Sequence, residues 1–265
     1  MMKRGFTLIE LLVTIGIIGV LVSLSLPALG GARASARRVA SMVNARGVAD
    51  TFTEIEARTG GWPTRETIDL SGVPGGGSMG DAPLITIDSE VRDGDEVNRI
   101  RIIAPLWELS VLWPFVMNEY VEVPAHYETW VSPGRPAAVP AMNPDELGEN
   151  GITPVSSYRY SNSFLAKPGL WSGGDTEGVI APVQAAEVTR PAAKVMIWDA
   201  DLAYETSEPT VTEGFYDAPT PMAFADGHAD TQDPRGAREG VENPLNGNNV
   251  MRLHNTADGV RGADY

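Results

Sequence analysis

Residues 1–29 read MMKRGFTLIELLVTIGIIGVLVSLSLPAL. After a short basic leader, residues 6–29 form an apolar run of 24 residues in which Glu10 is the only charge. A helix rises 1.5 Å per residue, so about 20 residues cross the hydrocarbon core of a bilayer. The run therefore predicts a transmembrane helix, and Lys3 and Arg4 before it predict a cytoplasmic N-terminus.

Glu10 is the unusual residue of this run. A carboxylate in hydrocarbon costs roughly 3 kcal/mol or more, so such a residue is usually retained because it meets a partner. A cation supplied by another copy of the chain would make the buried charge tolerable. The pattern predicts a membrane subunit that assembles with copies of itself.

Two simpler interpretations of the same segment compete with this one. A secretory signal has an apolar region of about 7–15 residues followed by a small-x-small cleavage site. Ala32-Arg33-Ala34 could serve weakly as that site, but the run is too long and Glu10 is hard to place in it. A plain single-pass anchor remains the other alternative.

The stretch KRGFTLIELLV, residues 3–13, resembles the N-terminal cleavage and methylation motif of type IV pilins and type II secretion pseudopilins. The resemblance implies that a prepilin peptidase cuts after Gly5 on the cytoplasmic side and that the new N-terminal residue, Phe6, is N-methylated. It also implies that Glu10 pairs with the Phe6 amine of a neighbouring subunit in a filament.

Composition limits what the rest of the chain does. The 265 residues include no cysteine, which excludes a disulfide and thiol catalysis. Residues 60–265 carry 13 basic and 31 acidic side chains. Nucleic-acid binding would need a basic surface, so we predict no nucleic-acid partner.

The predicted fold class is α+β, with a long N-terminal helix packed on a β-rich head. The domains are a leader peptide (1–5), a transmembrane helix (6–29), an amphipathic helix continuing into the head (30–58) and a periplasmic globular head (59–265). The amphipathic stripe follows three- and four-residue steps. Its members are Val39, Met42, Ala45, Val48, Ala49, Phe52 and Ile55. A coiled-coil arm with an unrelated partner is the alternative.

Breaks and strands follow from local signals. Pro27 and Gly30-Gly31 predict a kink or local melting of the helix. Alternating apolar residues predict strands over 83–91 and 99–104, joined by a turn at Asp93-Gly94, and buried strands over 194–199 and 222–226. A short helix interrupted at Pro114 is predicted over 106–120. A glycine-rich linker is expected over 72–80, with loop and tail over 246–249 and 259–265.

The head has a weaker resemblance of its own. Short motifs in order resemble the large pseudopilin-like families of planctomycete-type bacteria, whose heads end in a His-x9-Asp-Gly element. They are VLWPF (111–115), WVSP (130–133), SSY (156–158), the stretch 191–199 and AFADGHA (223–229). The histidine position of that element is Tyr216 here, and the Cys-Pro of many members is Ser132-Pro133. Only the Asp226-Gly227 turn is carried over, as a structural turn.

Candidate metal and catalytic residues are sparse. Asp226, Asp230 and Asp233 could form an oxygen-rich calcium site, the alternative being a polar turn after a buried strand. Asp199 and Asp201 flank Ala200 in a predicted loop, where they could equally serve to cap a turn. The three histidines, His126, His228 and His254, lack metal-ligand spacing, and no nucleophile elbow or phosphate loop is present. We therefore expect no enzyme activity and no cofactor, calcium excepted.

These patterns predict a pseudopilin-like structural subunit of the inner membrane. Its expected partners are the prepilin peptidase, other pilin-like subunits and the secretion or pilus assembly machinery. A surface type IV pilin for adhesion or DNA uptake is the first alternative. A membrane-anchored enzyme or carbohydrate-binding module with a pilin-type leader is the second. The six tryptophans of the chain are expected in the core. Two or three tryptophans exposed together would instead favour carbohydrate binding.

Overall fold

The first helix, α1, runs from Leu8 to Thr59, 52 residues, which makes it roughly 80 Å long. Leucine, isoleucine and valine dominate its first half and are compatible with a helix in a membrane. Thr7 caps its N-terminus. At its C-terminus Gly60 takes a φ of +80° and donates its amide to the Glu56 carbonyl at 2.7 Å, a left-handed ending that glycine adopts without steric cost.

The helix is continuous through Pro27 and Gly30-Gly31, so the predicted local melting is wrong. Pro27 removes one backbone donor, but the residues on both sides keep the helical conformation. In hydrocarbon no water replaces a broken backbone hydrogen bond, and each unsatisfied group would cost several kcal/mol. Continuity is therefore favoured over melting where the chain crosses a membrane.

A computed structural model describes the chain over 7–64, 67–68, 84–93, 96–106, 109–117, 120, 129–135, 156–172, 181–205, 211–212, 215–243 and 250–265. The leader (1–5), the glycine-rich stretch over 72–80 and the loop over 246–249 lie outside these residues. So do Phe6, Trp107 and His126.

The head contains helices and strands in mixed order, which confirms the α+β class. The strands are β1 (Thr67–Ile68), β2 (Leu84–Asp93), β3 (Glu96–Pro105), β4 (Tyr158–Tyr160), β5 (Val195–Asp199), β6 (Val211–Thr212), β7 (Phe215–Tyr216), β8 (Thr220–Phe224) and β9 (Ala229–Gln232). The helices after α1 are α2 (Leu109–Met117) and α3 (Pro168–Trp171). Short 3-10 turns lie at Asn162–Phe164, Ala185–Glu187, Pro191–Ala193, Pro234–Gly236 and Gly259–Arg261.

The strands form antiparallel sheets. One has the order β1-β2-β3, a second has the order β4-β5-β8-β9, and β6 pairs with β7. Asp93 lies opposite Glu96 in the β2–β3 register, so the predicted pairing of the two strands as a hairpin is confirmed. Asp93 itself belongs to β2, and Gly94 of the predicted turn lies outside the described residues. The predicted buried strands over 194–199 and 222–226 are also confirmed, as β5 and β8, in which every residue is buried. The second strand ends earlier than predicted, because Ala225 and Asp226 lie in the turn after β8.

The second half of α1 packs against β5, β8 and β9. Its buried positions recur every three or four residues, as predicted, and are Ser41, Ala45, Val48, Ala49, Phe52 and Ile55. The prediction is wrong for Val39, which is 56% exposed, and Met42 is half-buried. Val39 lies two residues before Ser41, about 200° around the helix from it, and so points away from the sheet.

Aromatic side chains fill the core between the helix and the sheet. The Phe52 ring makes T-shaped contacts with Trp113, at 5.3 Å between centroids, and with Tyr160, at 4.8 Å. The five described tryptophans are at most 3% exposed, as predicted. Helix α2 keeps Pro114 inside it, so the predicted interruption is wrong. All of its residues but Val111 are buried.

The C-terminal residues 259–265 are part of the head, so the predicted tail is wrong. Asp264 donates its amide to the Ala193 carbonyl at 2.8 Å and accepts the Arg238 amide at 2.7 Å on its own carbonyl. Val260 and Ala263 are buried. The Asp264 carboxylate lies 3.2 Å from the fully buried Lys194 ammonium, and this contact ties the end of the chain to the start of β5.

Candidate functional site

The first candidate site is the apolar half of α1. Its large apolar side chains over residues 8–29 are between 47% and 80% exposed. Within the described part of the chain, α1 is the one helix long and apolar enough to cross a membrane. An apolar surface of this size is unfavourable in water. It suits a membrane, or contact with similar helices.

Glu10 lies at the start of this half and folds back onto the helix N-terminus. One carboxylate oxygen, Oε2, accepts hydrogen bonds from the amide and the hydroxyl of Thr7, each at 2.8 Å. The Thr7 hydroxyl in turn accepts from the Glu10 amide at 3.3 Å. This reciprocal arrangement is a capping box, so Glu10 has a role within a single chain that the sequence reasoning missed. The Thr-x-x-Glu spacing was its signal.

The capping box bears directly on the predicted processing site. The Gly5–Phe6 bond lies outside the described residues, but Thr7 follows Phe6 directly. The Glu10 carboxylate thus accepts a hydrogen bond from the amide of Thr7. Cleavage would turn the nitrogen of the preceding residue, Phe6, into a cationic amine. Its second oxygen, Oε1, has no hydrogen bond to any of the residues described, so it remains available as an acceptor.

A second candidate site joins α1 to the head through Asp199, at the end of β5. Oδ2 of Asp199 accepts hydrogen bonds from the Ser41 hydroxyl at 2.6 Å and the Ser132 hydroxyl at 2.7 Å. Oδ1 accepts the amides of Asp201 and Leu202, each at 3.0 Å. One buried carboxylate therefore connects α1, the segment before Pro133 and the turn after β5.

Burial dominates the electrostatics of this junction. The Asp199 side chain is 1% exposed. Burial raises the pKa of its carboxyl even though four hydrogen bonds favour the charged form. Around it, Arg38 pairs with Glu205 at 2.6 Å, and Arg135 pairs with Asp201 at 2.7 Å. The Arg38–Glu205 pair joins α1 to the head, so the helix is fixed to the head by polar as well as apolar contacts.

Sequence reasoning placed Asp199 and Asp201 in a turn but missed their connection to the helix. The signal was Ser41, a small polar residue four positions before Ala45 on the buried face of α1. A buried polar residue at such a position needs a partner from the packed sheet. The Tyr158 hydroxyl lies 3.1 Å from the Ser41 hydroxyl and completes the network.

Asp226 and Gly227 lie in the turn between β8 and β9. Gly227 has a φ of +85° and donates its amide to the Phe224 carbonyl at 2.9 Å. Asp226 accepts the His228 amide at 3.1 Å. The strand register pairs Ala223 with Ala229 across this turn. Tyr216 occupies β7, and its side chain is not among those described.

The three proposed calcium ligands have protein partners instead of one another. Asp226 contacts His228 Nδ1 at 2.5 Å, and Asp233 pairs with Arg235 at 2.6 Å. Asp230 accepts from Gln232 at 2.6 Å. Over the described ranges, no group of three or more His, Asp or Glu side chains could hold a metal ion. The calcium site stays a prediction to which this geometry adds no support.

The remaining described histidine, His254, is buried against the Trp198 ring, at 4.5 Å between centroids. Burial, with the nearby charges of Arg159 and Lys194, lowers the pKa of His254 to about 3. His254 is therefore neutral at pH 7 and closed to solvent. His228 is exposed, stacked on Phe224 and bonded to Asp226.

Comparison with known proteins finds a family match at the N-terminus. Residues 1–26 match the family model of the prokaryotic N-terminal methylation motif. A fimbrial protein of Neisseria meningitidis serogroup A / serotype 4A (strain DSM 15465 / Z2491) is 36% identical over 66 residues, 25% of this chain. No solved structure is significantly similar to the chain.

These similarities support a pilin-like subunit with an N-terminal helix suited to membrane anchoring. The match covers 39% of the length of the fimbrial protein, well under two thirds. Neither similarity bears on the planctomycete-type resemblance of the head, which stays a prediction.

Proposed function

We propose that the chain is a pseudopilin-like structural subunit, cut by a prepilin peptidase between Gly5 and Phe6 and assembled through α1 into an envelope filament. The observation that carries the proposal is the coincidence of the methylation motif with a helix whose apolar half is not buried by any part of the head that the structure describes. A membrane covers that surface before assembly, and neighbouring helices cover it in the filament.

The proposed location is the inner membrane, with the N-terminus in the cytoplasm and the head in the periplasm. Lys3 and Arg4 favour this orientation. Arg33, Arg37 and Arg38 follow the apolar segment on the opposite side, so the bias of basic residues alone does not determine the orientation. The resemblance to the prepilin motif, which is cut in the cytoplasm, supports it.

The charge of the head helps to distinguish a secretion filament from a surface pilus. With 31 acidic and 13 basic residues over 60–265, it would repel the phosphate backbone of DNA. This favours a type II secretion filament over a pilus for DNA uptake. An adhesive surface pilus remains the second candidate, and it is favoured by the similarity to the fimbrial protein.

A carbohydrate-binding module is the weaker alternative. Such a module would present aromatic rings to solvent, whereas the five described tryptophans are buried. The Asp199 carboxylate is engaged by four hydrogen bonds that join the helix to the head, and we propose a structural role for it instead of a catalytic one.

Shearing of cells that produce the chain tests the proposal. Wild-type protein should appear in the sheared filament fraction, while an inner-membrane marker protein stays with the cells. A Gly5→Leu variant, altered at the cleavage site, should remain in the membrane fraction. Wild-type protein that is absent from the sheared fraction and also fails to crosslink to neighbouring subunits within the envelope, when the assembly machinery is present, would contradict a filament role. Loss of the filament fraction on deletion of the secretion ATPase would assign the filament to the secretion system.

A further inference from the structure

A cavity of about 300 Å³ opens on the head, far along the chain from α1. Three arginines line it, Arg190, Arg238 and Arg261, together with Thr256 at a buried position. Two carboxylates, Glu239 and Asp258, also line it. Small-molecule sites begin at about this volume, so the cavity has room for a small ligand.

The arginines are unusual because no carboxylate of the described residues lies within ion-pair distance of them, although Arg261 is close enough to Glu187 to interact with its charge. None of the three forms an ion pair with any described residue. By contrast Arg38, which also lies on this acidic protein, pairs with a carboxylate at 2.6 Å. A guanidinium group presents a planar set of donors that match two oxygens of a carboxylate, sulfate or phosphate. Three such groups around one cavity therefore form an anion-binding arrangement.

Backbone contacts hold the arginines in place. Arg238 donates its amide to the Asp264 carbonyl at 2.7 Å, and the Arg190 carbonyl accepts the Ala193 amide at 3.0 Å. The Arg261 carbonyl accepts the Thr189 hydroxyl at 2.6 Å. The bonds of Arg238 and Arg261 join segments that are distant in sequence, and the bond of Arg190 closes a local turn. The positions from which the side chains project are thus set before any ligand arrives, which reduces the entropic cost of binding.

The two carboxylates of the cavity have bonding partners other than these arginines. The Asp258 carboxylate accepts a hydrogen bond from the Ser172 hydroxyl at 2.7 Å. Glu239 is 88% exposed, and its nearest described cation is Arg252, at 3.9 Å. Gly262 closes the wall, since a Cβ there would come within 2.0 Å of the Ala257 carbonyl oxygen. Neither acid that lines the cavity is therefore paired with one of the three arginines.

We propose that this cavity binds an oxyanion, a carboxylate, sulfate or phosphate group carried by a small molecule or a sugar. The inference goes beyond the proposed structural function and does not depend on filament assembly.

Calorimetric titration of the full chain in detergent tests the proposal. The probes are sodium sulfate, inorganic phosphate and glucuronate, each against sodium chloride at the same ionic strength. At least one oxyanion should bind saturably. Arg190→Gln with Arg238→Gln should weaken binding by about tenfold or more, since each charge-assisted contact is worth more than a neutral one. Arg46→Gln, an exposed arginine on α1, is the matched control and should leave binding unchanged.

The probes that bind identify the chemical class of oxyanion that the site accepts. Binding of glucuronate alone assigns the site to carboxylates, and binding of sulfate or phosphate alone assigns it to tetrahedral anions. No saturable binding of any probe would overturn the proposal. Equal binding by the double variant and wild type would also overturn it, provided that their unfolding curves coincide. If the double variant unfolds, Arg261→Gln alone, with its weaker expected loss, provides the same comparison.

Discussion

A chain carrying Glu10→Ala should enter the membrane as well as wild type does but should lose about nine tenths or more of its incorporation into filaments. Removing the carboxylate makes the apolar segment more hydrophobic, so insertion is not impaired. Assembly would lose an ion pair between Glu10 and the Phe6 amine of a neighbour, and a buried cation left without its partner costs about 3–5 kcal/mol. Membrane fractionation measures insertion, and crosslinking of neighbouring subunits measures assembly.

The capping box supplies the control for this experiment. A Glu10→Gln chain keeps an acceptor for the Thr7 amide, because glutamine also completes a capping box, but it has no negative charge. If the ion pair drives assembly, Glu10→Gln should fail as Glu10→Ala does, while Thr7→Ala should assemble nearly normally. Normal assembly of Glu10→Gln with failure of Thr7→Ala would show that the helix cap matters and the intersubunit pair does not.

Asp264→Ala should lower the free energy of unfolding by about 3–5 kcal/mol, because it leaves the buried Lys194 charge without a counter-ion. Lys194 is fully buried and Asp264 is 2% exposed, with 3.2 Å between their charged groups. Burial lowers the pKa of Lys194, and the adjacent Asp264 charge opposes that shift. Thr256 bonds to both side chains. Denaturant unfolding of the full chain in detergent measures the loss.

Another lysine–carboxylate pair serves as the comparison. Lys167 and Glu187 are 2.5 Å apart, but their side chains are 28% and 20% exposed. Glu187→Ala should therefore cost only about 1 kcal/mol or less. The double variant Lys194→Met with Asp264→Asn should recover much of the stability lost in Asp264→Ala, since no charge is then buried. A cost below about 1 kcal/mol for Asp264→Ala would refute the role assigned to the buried pair.

Local sequence signals predicted the parts of the fold that depend on local physics. The length and apolarity of residues 6–29 predicted the start of α1, and its spacing predicted the buried face from Ala45 to Ile55. Alternating apolar residues, together with the turn signal at Asp93-Gly94, predicted the β2–β3 hairpin. Each of these features follows from hydrophobic periodicity and turn chemistry within a few residues.

The errors and omissions concern contacts between distant segments. Ser41 and Asp199 are 158 positions apart, and nothing near either residue identifies the other. The prediction of a tail over 259–265 was wrong because Asp264 is neutralised by Lys194, which lies 70 positions earlier. Melting at Pro27 was expected from propensity measured in water, where a freed backbone group is hydrated, whereas hydrocarbon offers no such replacement.

Mass spectrometry of the mature N-terminus, on protein purified from a cell that contains a prepilin peptidase, tests the central claim most directly. We predict a chain that begins with N-methylated Phe6 and retains Glu10 and the whole of α1. A chain that begins between Ala32 and Ser35 would instead identify an ordinary signal peptide and would contradict assembly through the N-terminal helix. An intact chain beginning at Met1 or Met2 would likewise contradict processing at Gly5.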